Sequence, residues 1–263
     1  MRDALFDLGG KRILITGGSR GIGRAIAMNC ASFGADIAIN YHKNSDAAND
    51  IVREIDNLGT RAISIQADVA KSADVELLFD EAVRFLGGID AVAINAGIAS
   101  RAVYVRETPN DEIERVFSVD LLGAYYCARE AAKHMHPQKS GLIAMISSVA
   151  AKTCGPKMGP YGVAKAALEG LKDILAKEEA SSSIRVNNIL PGLVNTDMGR
   201  QFLKPYGIEE VRSIGEILPM GRVCEPEDIG HLFAFLASDK GSYITGQSIM
   251  IEGGMTLVEG LMK

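Results

Sequence analysis

Short apolar runs, rich in β-branched residues, recur at residues 12–16, 36–40, 62–66, 91–95, 142–147, 185–190 and 247–251. Most are apolar nearly throughout, with no polar alternation, which is the pattern of strands covered on both faces in a parallel sheet. Between them lie stretches with helical patterning at 23–33, 46–58, 73–86, 111–134 and 161–180. Strand and helix alternate with no linker or low-complexity stretch. This predicts right-handed βαβ units and one α/β domain over residues 1–263, with a doubly wound parallel sheet of about seven strands and helices on both faces. Such sheets bind ligands beyond the carboxyl ends of their strands. Chemistry is therefore expected just after Thr16, Asn40, Asn95, Ser147 and Leu190.

Composition narrows the class. The chain has 263 residues, 47% hydrophobic and 23% charged, an ordinary globular balance. No apolar run approaches the ~20 residues of a membrane span. The segment from Met1 to Gly10 carries Arg2, Asp3 and Asp7, unlike a secretory leader. Cys30, Cys127, Cys154 and Cys224 are scattered without a CxxC pair, so reduced, mostly core thiols in a cytoplasmic protein are expected. A net charge of −5 without a basic block argues against nucleic acid as a partner.

After the first strand comes Thr16-Gly17-Gly18-Ser19-Arg20-Gly21-Ile22-Gly23, running directly into a helix. Glycine lets backbone approach a pyrophosphate closely or adopt positive φ. The helix start offers unpaired N–H groups and the positive end of its dipole. Gly17, Ser19, Arg20, Gly21 and Ile22 are the candidate phosphate cradle. The second strand ends at Asn40, about where an NAD site places a carboxylate on the ribose 2′-hydroxyl. Asn40 is neutral, Tyr41-His42-Lys43 follow, and Arg20 can reach the same region. An arginine fork binds a 2′-phosphate that a carboxylate would repel, so NADP(H) is favoured over NAD(H).

Tyr161-Gly162-Val163-Ala164-Lys165 opens a helix, placing a phenol and an ammonium one turn apart on one face. A free phenol gives up its proton near pH ~10, too high for a base at neutral pH, and adjacent positive charge stabilises the phenolate. Ser147 and Ser148 end a strand upstream, where a hydroxyl could donate to a substrate carbonyl oxygen.

With these pieces in order, residues 11–255 resemble the short-chain dehydrogenase/reductase family. The resemblance rests on Thr16 to Gly23, Asp68-Val69, Asn95-Ala96-Gly97, Ser148, Tyr161 with Lys165, Asn187, and Pro191-Gly192 followed by Thr196. It is similar to the 3-oxoacyl-acyl-carrier-protein reductases and related secondary alcohol dehydrogenases within that family. The resemblance implies a Rossmann-type fold and hydride transfer between NADP(H) and a ketone or secondary alcohol. In it Tyr161 is the proton donor, Ser148 positions the carbonyl, and Lys165 binds the nicotinamide ribose and assists the tyrosine. Asp68 and Val69 would border the adenine, and Asn95, Ala96 and Gly97 would support the cofactor. Pro191, Gly192, Val194 and Thr196 would hold the nicotinamide end, with Thr196 on the carboxamide. Two positions depart from the family: Ile94 replaces the first Asn of Asn-Asn-Ala-Gly, and Asp120 stands where an Asn usually serves the proton relay beside the lysine. An ionised carboxylate accepts but does not donate, so Asp120 either preserves that relay or alters its pH dependence.

The segment of about residues 195–220 is too long for a simple connection. With Met198, Phe202, Leu203, Tyr206, Ile208, Ile214 and Leu218 it reads as a lid over the crevice. Ile98, Val149, Met158 and Leu193 are the expected pocket wall, favouring a partly lipophilic or acyl-carrier-bound ketone. His134 and His136 sit two apart near a helix end and do not face each other, so no metal set is expected; His231 reads as a packed histidine. The long helices 111–134 and 161–180 carry more apolar surface than one sheet face needs, and the resemblance implies a homotetramer paired through them. A nucleotide-sensing protein without turnover, or a lyase or epimerase using the same cofactor, are the other classes considered.

Overall fold

The computed structural model describes residues 6–257. The reading of Met1 to Gly10 as no leader, and the outer ends of the 1–263 domain, lie partly outside the described residues. Seven strands form one all-parallel sheet: β1 (Arg12–Ile15), β2 (Asp36–Tyr41), β3 (Ala62–Gln66), β4 (Ala91–Ile94), β5 (Gly141–Ile146), β6 (Ile184–Pro191) and β7 (Ser248–Ile251). Their order is β3-β2-β1-β4-β5-β6-β7, so the direction of winding reverses between β1 and β4. That reversal opens the crevice where such sheets bind ligands.

Alternating side chains send each strand's apolar residues to two layers. Ile13, Ile15, Ile37, Ile39, Ala144 and Ile189 face one way, against α1 (Gly21–Ser32), α2 (Ser45–Asp56) and α8 (Pro226–Ala237). Leu14, Ala38, Val92, Ile143, Met145 and Val186 face the other, against α3 (Ser72–Leu86), α5 (Ala124–Gln138) and α6 (Gly159–Glu179). Full burial of each large aliphatic side chain stabilises the fold by about 1.5–3 kcal/mol. Covering on both faces is why these strands read as continuous apolar runs.

Two expectations change. The predicted helix 111–134 is three pieces: α4 (Asn110–Val116), a π-helical stretch over Phe117–Gly123, and α5. The wider turn shifts the register by which a 3.6-residue period is recognised, and π-turns cluster at functional sites. His231 is exposed, because the buried stripe of α8 runs through Ile229, Gly230, Phe233, Ala234 and Ala237 and leaves 227 and 231 on the outside. Among the described residues no helix is long and apolar enough to cross a membrane.

Candidate active site

At the end of β1 the chain turns through residues 16–20 into α1. Thr16 is fully buried, and its hydroxyl accepts from the N–H groups of Asn95 (2.9 Å) and Ala96 (3.0 Å). Asn95 in return donates its side-chain amide to the Thr16 (3.0 Å) and Gly17 (3.1 Å) carbonyls. These four bonds lock the ends of β1 and β4 together at the switch point. Sequence reasoning gave Thr16 no role of its own; a hydroxyl at the junction of strand and glycine turn was the only signal. Gly17 has φ +63, and a Cβ at Gly23 would lie 2.3 Å from the Gly17 carbonyl oxygen, so the turn lies directly on the helix. Arg20 enters α1 in extended conformation without a side-chain cap, and no acidic residue occupies the first turn. Amides left uncapped at a helix start, beside half-buried Ser19, Gly21 and Ile22, fit a pyrophosphate.

Asn40 requires a correction. Its side chain is buried, donating to the Ala67 (3.0 Å), Tyr41 (3.2 Å) and Ile65 (3.4 Å) carbonyls and accepting from the Gly17 N–H (3.2 Å). With those partners made, its amide is taken up by the fold and braces the glycine turn. Arg20 is 79% exposed, with Nη1 3.7 Å from Asp197 Oδ2 on α7 (Asp197–Leu203). Val69 is buried against Gly123, whereas the partly open Asp68 carboxylate lies 3.9 Å from His42 Nε2 and 4.0 Å from Lys71 Nζ.

Pro160 stands in the first turn of α6, where its fixed φ suits the helix and its missing N–H costs nothing. Tyr161, half-buried, and Lys165, buried, follow on one face, with Lys165 Nζ 5.5 Å from the phenol ring centre. The ammonium donates to the Ile146 carbonyl (3.2 Å) and lies 3.4 Å from Asp120 Oδ2. Asp120, on the π-helical stretch, is inaccessible to solvent; its Oδ1 accepts from the Ile98 N–H at 2.8 Å, while Oδ2 has no hydrogen-bond partner. Gly97 lies over the pair so closely that a Cβ would stand 3.2 Å from Oδ2 and 3.4 Å from Nζ. Burial pushes the Asp120 carboxyl above the usual carboxylate range, against the opposing pull of Lys165 and the Ile98 N–H. Burial also works against the Lys165 ammonium, yet Asp120 and Tyr161 outweigh it and hold the lysine above its ordinary value. Both groups keep their protons more firmly than in water.

The two serines after β5 separate. Ser147 is buried and donates to the Lys165 carbonyl (3.2 Å), tying strand to helix. The half-buried Ser148 oxygen accepts from the Ala150 N–H (3.1 Å), an arrangement that leaves its O–H as a donor.

Beyond β6, Pro191 and Val194 are buried, and Val194 pairs with Cys224 across the base of the lid. Gly192 packs against Glu252, whose Cβ would meet an added Cβ at 2.7 Å. Thr196 caps α7 by accepting from the Gly199 N–H (3.1 Å). Leu203, Val211, Leu218, Val223 and Met255 form a separate small core with Val149, and Leu193, Phe202, Ile208 and Ile214 pack onto it. Val149 and Leu193 thus hold the lid down, and of the expected pocket wall Ile98 and Met158 stay partly open. His134 stacks on Phe79 (5.9 Å between centroids), whereas His136 bonds Glu179 (2.8 Å).

A family model described as "Enoyl-(Acyl carrier protein) reductase" matches residues 17–256. The chain is 38% identical over 256 residues to 3beta-hydroxysteroid dehydrogenase 1 of Eggerthella lenta, covering 97% of each. It is 37% identical over 248 residues to a 3-oxoacyl-acyl-carrier-protein reductase of Staphylococcus epidermidis, covering 93% of this chain and 98% of that protein. A solved short-chain dehydrogenase of Burkholderia cenocepacia, in complex with NADP, superposes with a TM-score of 0.85 at 34% identity, covering 95% and 99% of the two chains.

Proposed function

Because the chain belongs to the short-chain dehydrogenase/reductase family, a family of oxidoreductases, we propose that it interconverts a ketone and a secondary alcohol with NADP(H), Tyr161 being the acid/base. The observation that carries this reading is the Tyr161–Lys165 pair on the first turns of α6, with a buried ammonium 5.5 Å from the phenol ring. When bound, the nicotinamide supplies or accepts the hydride.

The phenol of Tyr161 gives its proton to the carbonyl oxygen in reduction and takes it back in oxidation. The Ser148 hydroxyl donates to the same oxygen and polarises the carbonyl. Lys165 stabilises the phenolate with a fixed, desolvated positive charge and is the donor for the nicotinamide ribose. Gly17, Ser19, Gly21 and Ile22 would hold the pyrophosphate, Asp68 and Val69 the adenine, and Asn95, Ala96 and Gly97 the floor between. Pro191, Gly192, Val194 and Thr196 would flank the carboxamide.

Preference for NADP(H) is supported by the exposed Arg20 and by the inward turn of Asn40, which leaves no carboxylate at the end of β2. The apolar side chains still exposed on and beside the lid, Met198, Tyr206, Ile217 and Met220, favour a partly lipophilic ketone. Acyl chains on a carrier protein and steroid-like ketones both meet that description. Four free thiols are in keeping with action in the cytoplasm.

The test is a panel of ketones, acyl thioesters and sugars read by NADPH absorbance, with Tyr161→Phe alongside. The variant is expected to lose at least a hundredfold in turnover, the usual scale of an acid/base group, while binding NADPH nearly as the parent does. Parental turnover by Tyr161→Phe would overturn the assignment.

A further inference from the structure

We propose that Asp120 is a positioning residue that shares a proton equilibrium with Lys165, so that ionisation of its carboxyl sets how much positive charge the reacting phenol feels. The inference rests on the acid/base reading of Tyr161 and deepens it.

Two polar groups flank the carboxyl at position 120. One oxygen faces the Ile98 N–H at 2.8 Å and the other faces the Lys165 ammonium at 3.4 Å. Both neighbours are donors and neither can accept. An asparagine would meet one of them with its own NH2 whichever way its amide turned, whereas a carboxylate accepts from the Ile98 N–H at one oxygen and faces the ammonium as an ion pair at the other. The side chain is wholly buried, Gly97 closes over it, and Oδ2 has no hydrogen-bond partner. A buried carboxylate facing one ammonium at this range is strongly coupled to it, and its charge is felt by whatever that ammonium serves.

The other charged groups around Asp120 do not replace this partnership. On α6 the facing groups are Lys165 and, beyond it, Tyr161. On α4, Arg115 is clamped to buried Glu112 by hydrogen bonds of 2.9 Å and 3.0 Å, so its charge is largely met. The loop after β4 contributes only the Ile98 N–H and Gly97, and β5 only the Ile146 carbonyl, which Lys165 already uses.

Two protonation states follow. With Asp120 neutral, the lysine charge is uncompensated and acts fully on the phenol. With Asp120 ionised, the pair is held firmly but its net charge is zero, and phenolate formation requires higher pH. As pH rises Asp120 loses its proton before Lys165 does, because a carboxyl starts far below an ammonium and Lys165 is held above its ordinary value by Asp120 and Tyr161. The chain thus tethers its lysine at the cost of some of that lysine's influence at alkaline pH.

The test has an arm that needs no turnover. The side-chain carboxyl resonance of Asp120, identified by its loss in Asp120→Asn, is titrated in 13C-aspartate-labelled protein and again in Lys165→Met. Removing the ammonium is expected to raise the carboxyl midpoint by about one pH unit or more. An unchanged midpoint in Lys165→Met would overturn the coupling. The second arm is the pH profile of kcat/KM for a secondary alcohol with NADP+. Asp120→Asn and Asp120→Leu, neither of which carries a charge at position 120 and only one of which sets an NH2 against the two donors, are both expected to move the ascending limb down by about one pH unit. A limb that stays in place while melting by circular dichroism matches the parent overturns the control of the phenol. Should Asp120→Asn fail to fold, loss of the same resonance in 13C-aspartate-labelled Asp120→Glu identifies it instead, and its movement or immobility in Lys165→Met still decides the coupling. Absence of any alcohol turnover in the parent would instead count against the oxidoreductase reading, leaving the titration result intact.

Discussion

Arg20 stands between two claims on its charge. Its guanidinium lies 3.7 Å from Asp197, and both side chains are more than half exposed. An exposed pair of this kind is worth roughly 0–1 kcal/mol. A 2′-phosphate, dianionic and able to take two parallel N–H bonds, competes readily with a single carboxylate. Arg20→Ala is accordingly expected to weaken NADPH at least tenfold, a loss of about 1.5–3 kcal/mol for a charged hydrogen bond, and to change NADH less than twofold. Fluorescence titration of both nucleotides checks this; equal losses would make Arg20 structural. At this scale the sequence was informative where chemistry demands one residue type, as with Gly17 at positive φ or Gly23 against the Gly17 carbonyl. It was silent on side-chain direction. Asn40 and Ser147 both end strands, where a crevice-facing group is expected, and both point inward because backbone partners from β2, β3, the glycine turn and α6 happen to lie there. Those partners come from distant stretches of chain, and one residue's identity does not report them.

Among elements, the seven strands and the helices at 21–32, 45–56, 72–86 and 159–179 were legible to within about two residues, because burial on both faces forces apolar runs of distinctive length, whereas α8 was given no bounds and α5 runs four residues past the expected end. The π-helical stretch at Phe117–Gly123 was not, since one extra residue per turn leaves composition unchanged while rotating Asp120 toward Lys165. The lid was legible as a long amphipathic insertion, but not the use to which its apolar residues are put. Most of them build their own small core with Val149 and Met255, separate from the two layers on the sheet. A satellite core of this kind sets the opening equilibrium of the segment it holds. Leu203→Ala is therefore expected to cost about 2 kcal/mol locally and to appear as faster amide exchange over 197–218, with sheet amides unchanged. KM should rise more than kcat falls. Hydrogen exchange read by mass spectrometry distinguishes this from a general loss of stability, and uniform acceleration across the sheet would refute a self-contained lid.

At the scale of the whole molecule, the outer faces of α5 and α6 form a shallow groove of about 530 Å³. Tyr125, 50% exposed, and Ile174, 55% exposed, stand in it with Leu171 and Leu175. Its rim is divided by charge: Arg129 and Lys133 lie on α5, Glu178 and Glu179 on α6. A two-fold axis laying α5 of one copy on α6 of another would bury the apolar strip twice and bring each basic row to an acidic one. Self-complementarity of that form is what an isologous interface requires. We expect this contact to be one of the two needed for the homotetramer that the family resemblance implies. Ile174→Asp places a charge at the centre of the strip, where a desolvated and unpaired carboxylate costs several kcal/mol, yet in the separated subunit it is merely one more solvated side chain. Light scattering after size exclusion should show the mass halved from tetramer to dimer, with the melting of each subunit's secondary structure otherwise retained. A variant that keeps the parent's mass would move the interface elsewhere on the molecule, and a parent that is itself monomeric would leave the strip without the partner assigned to it.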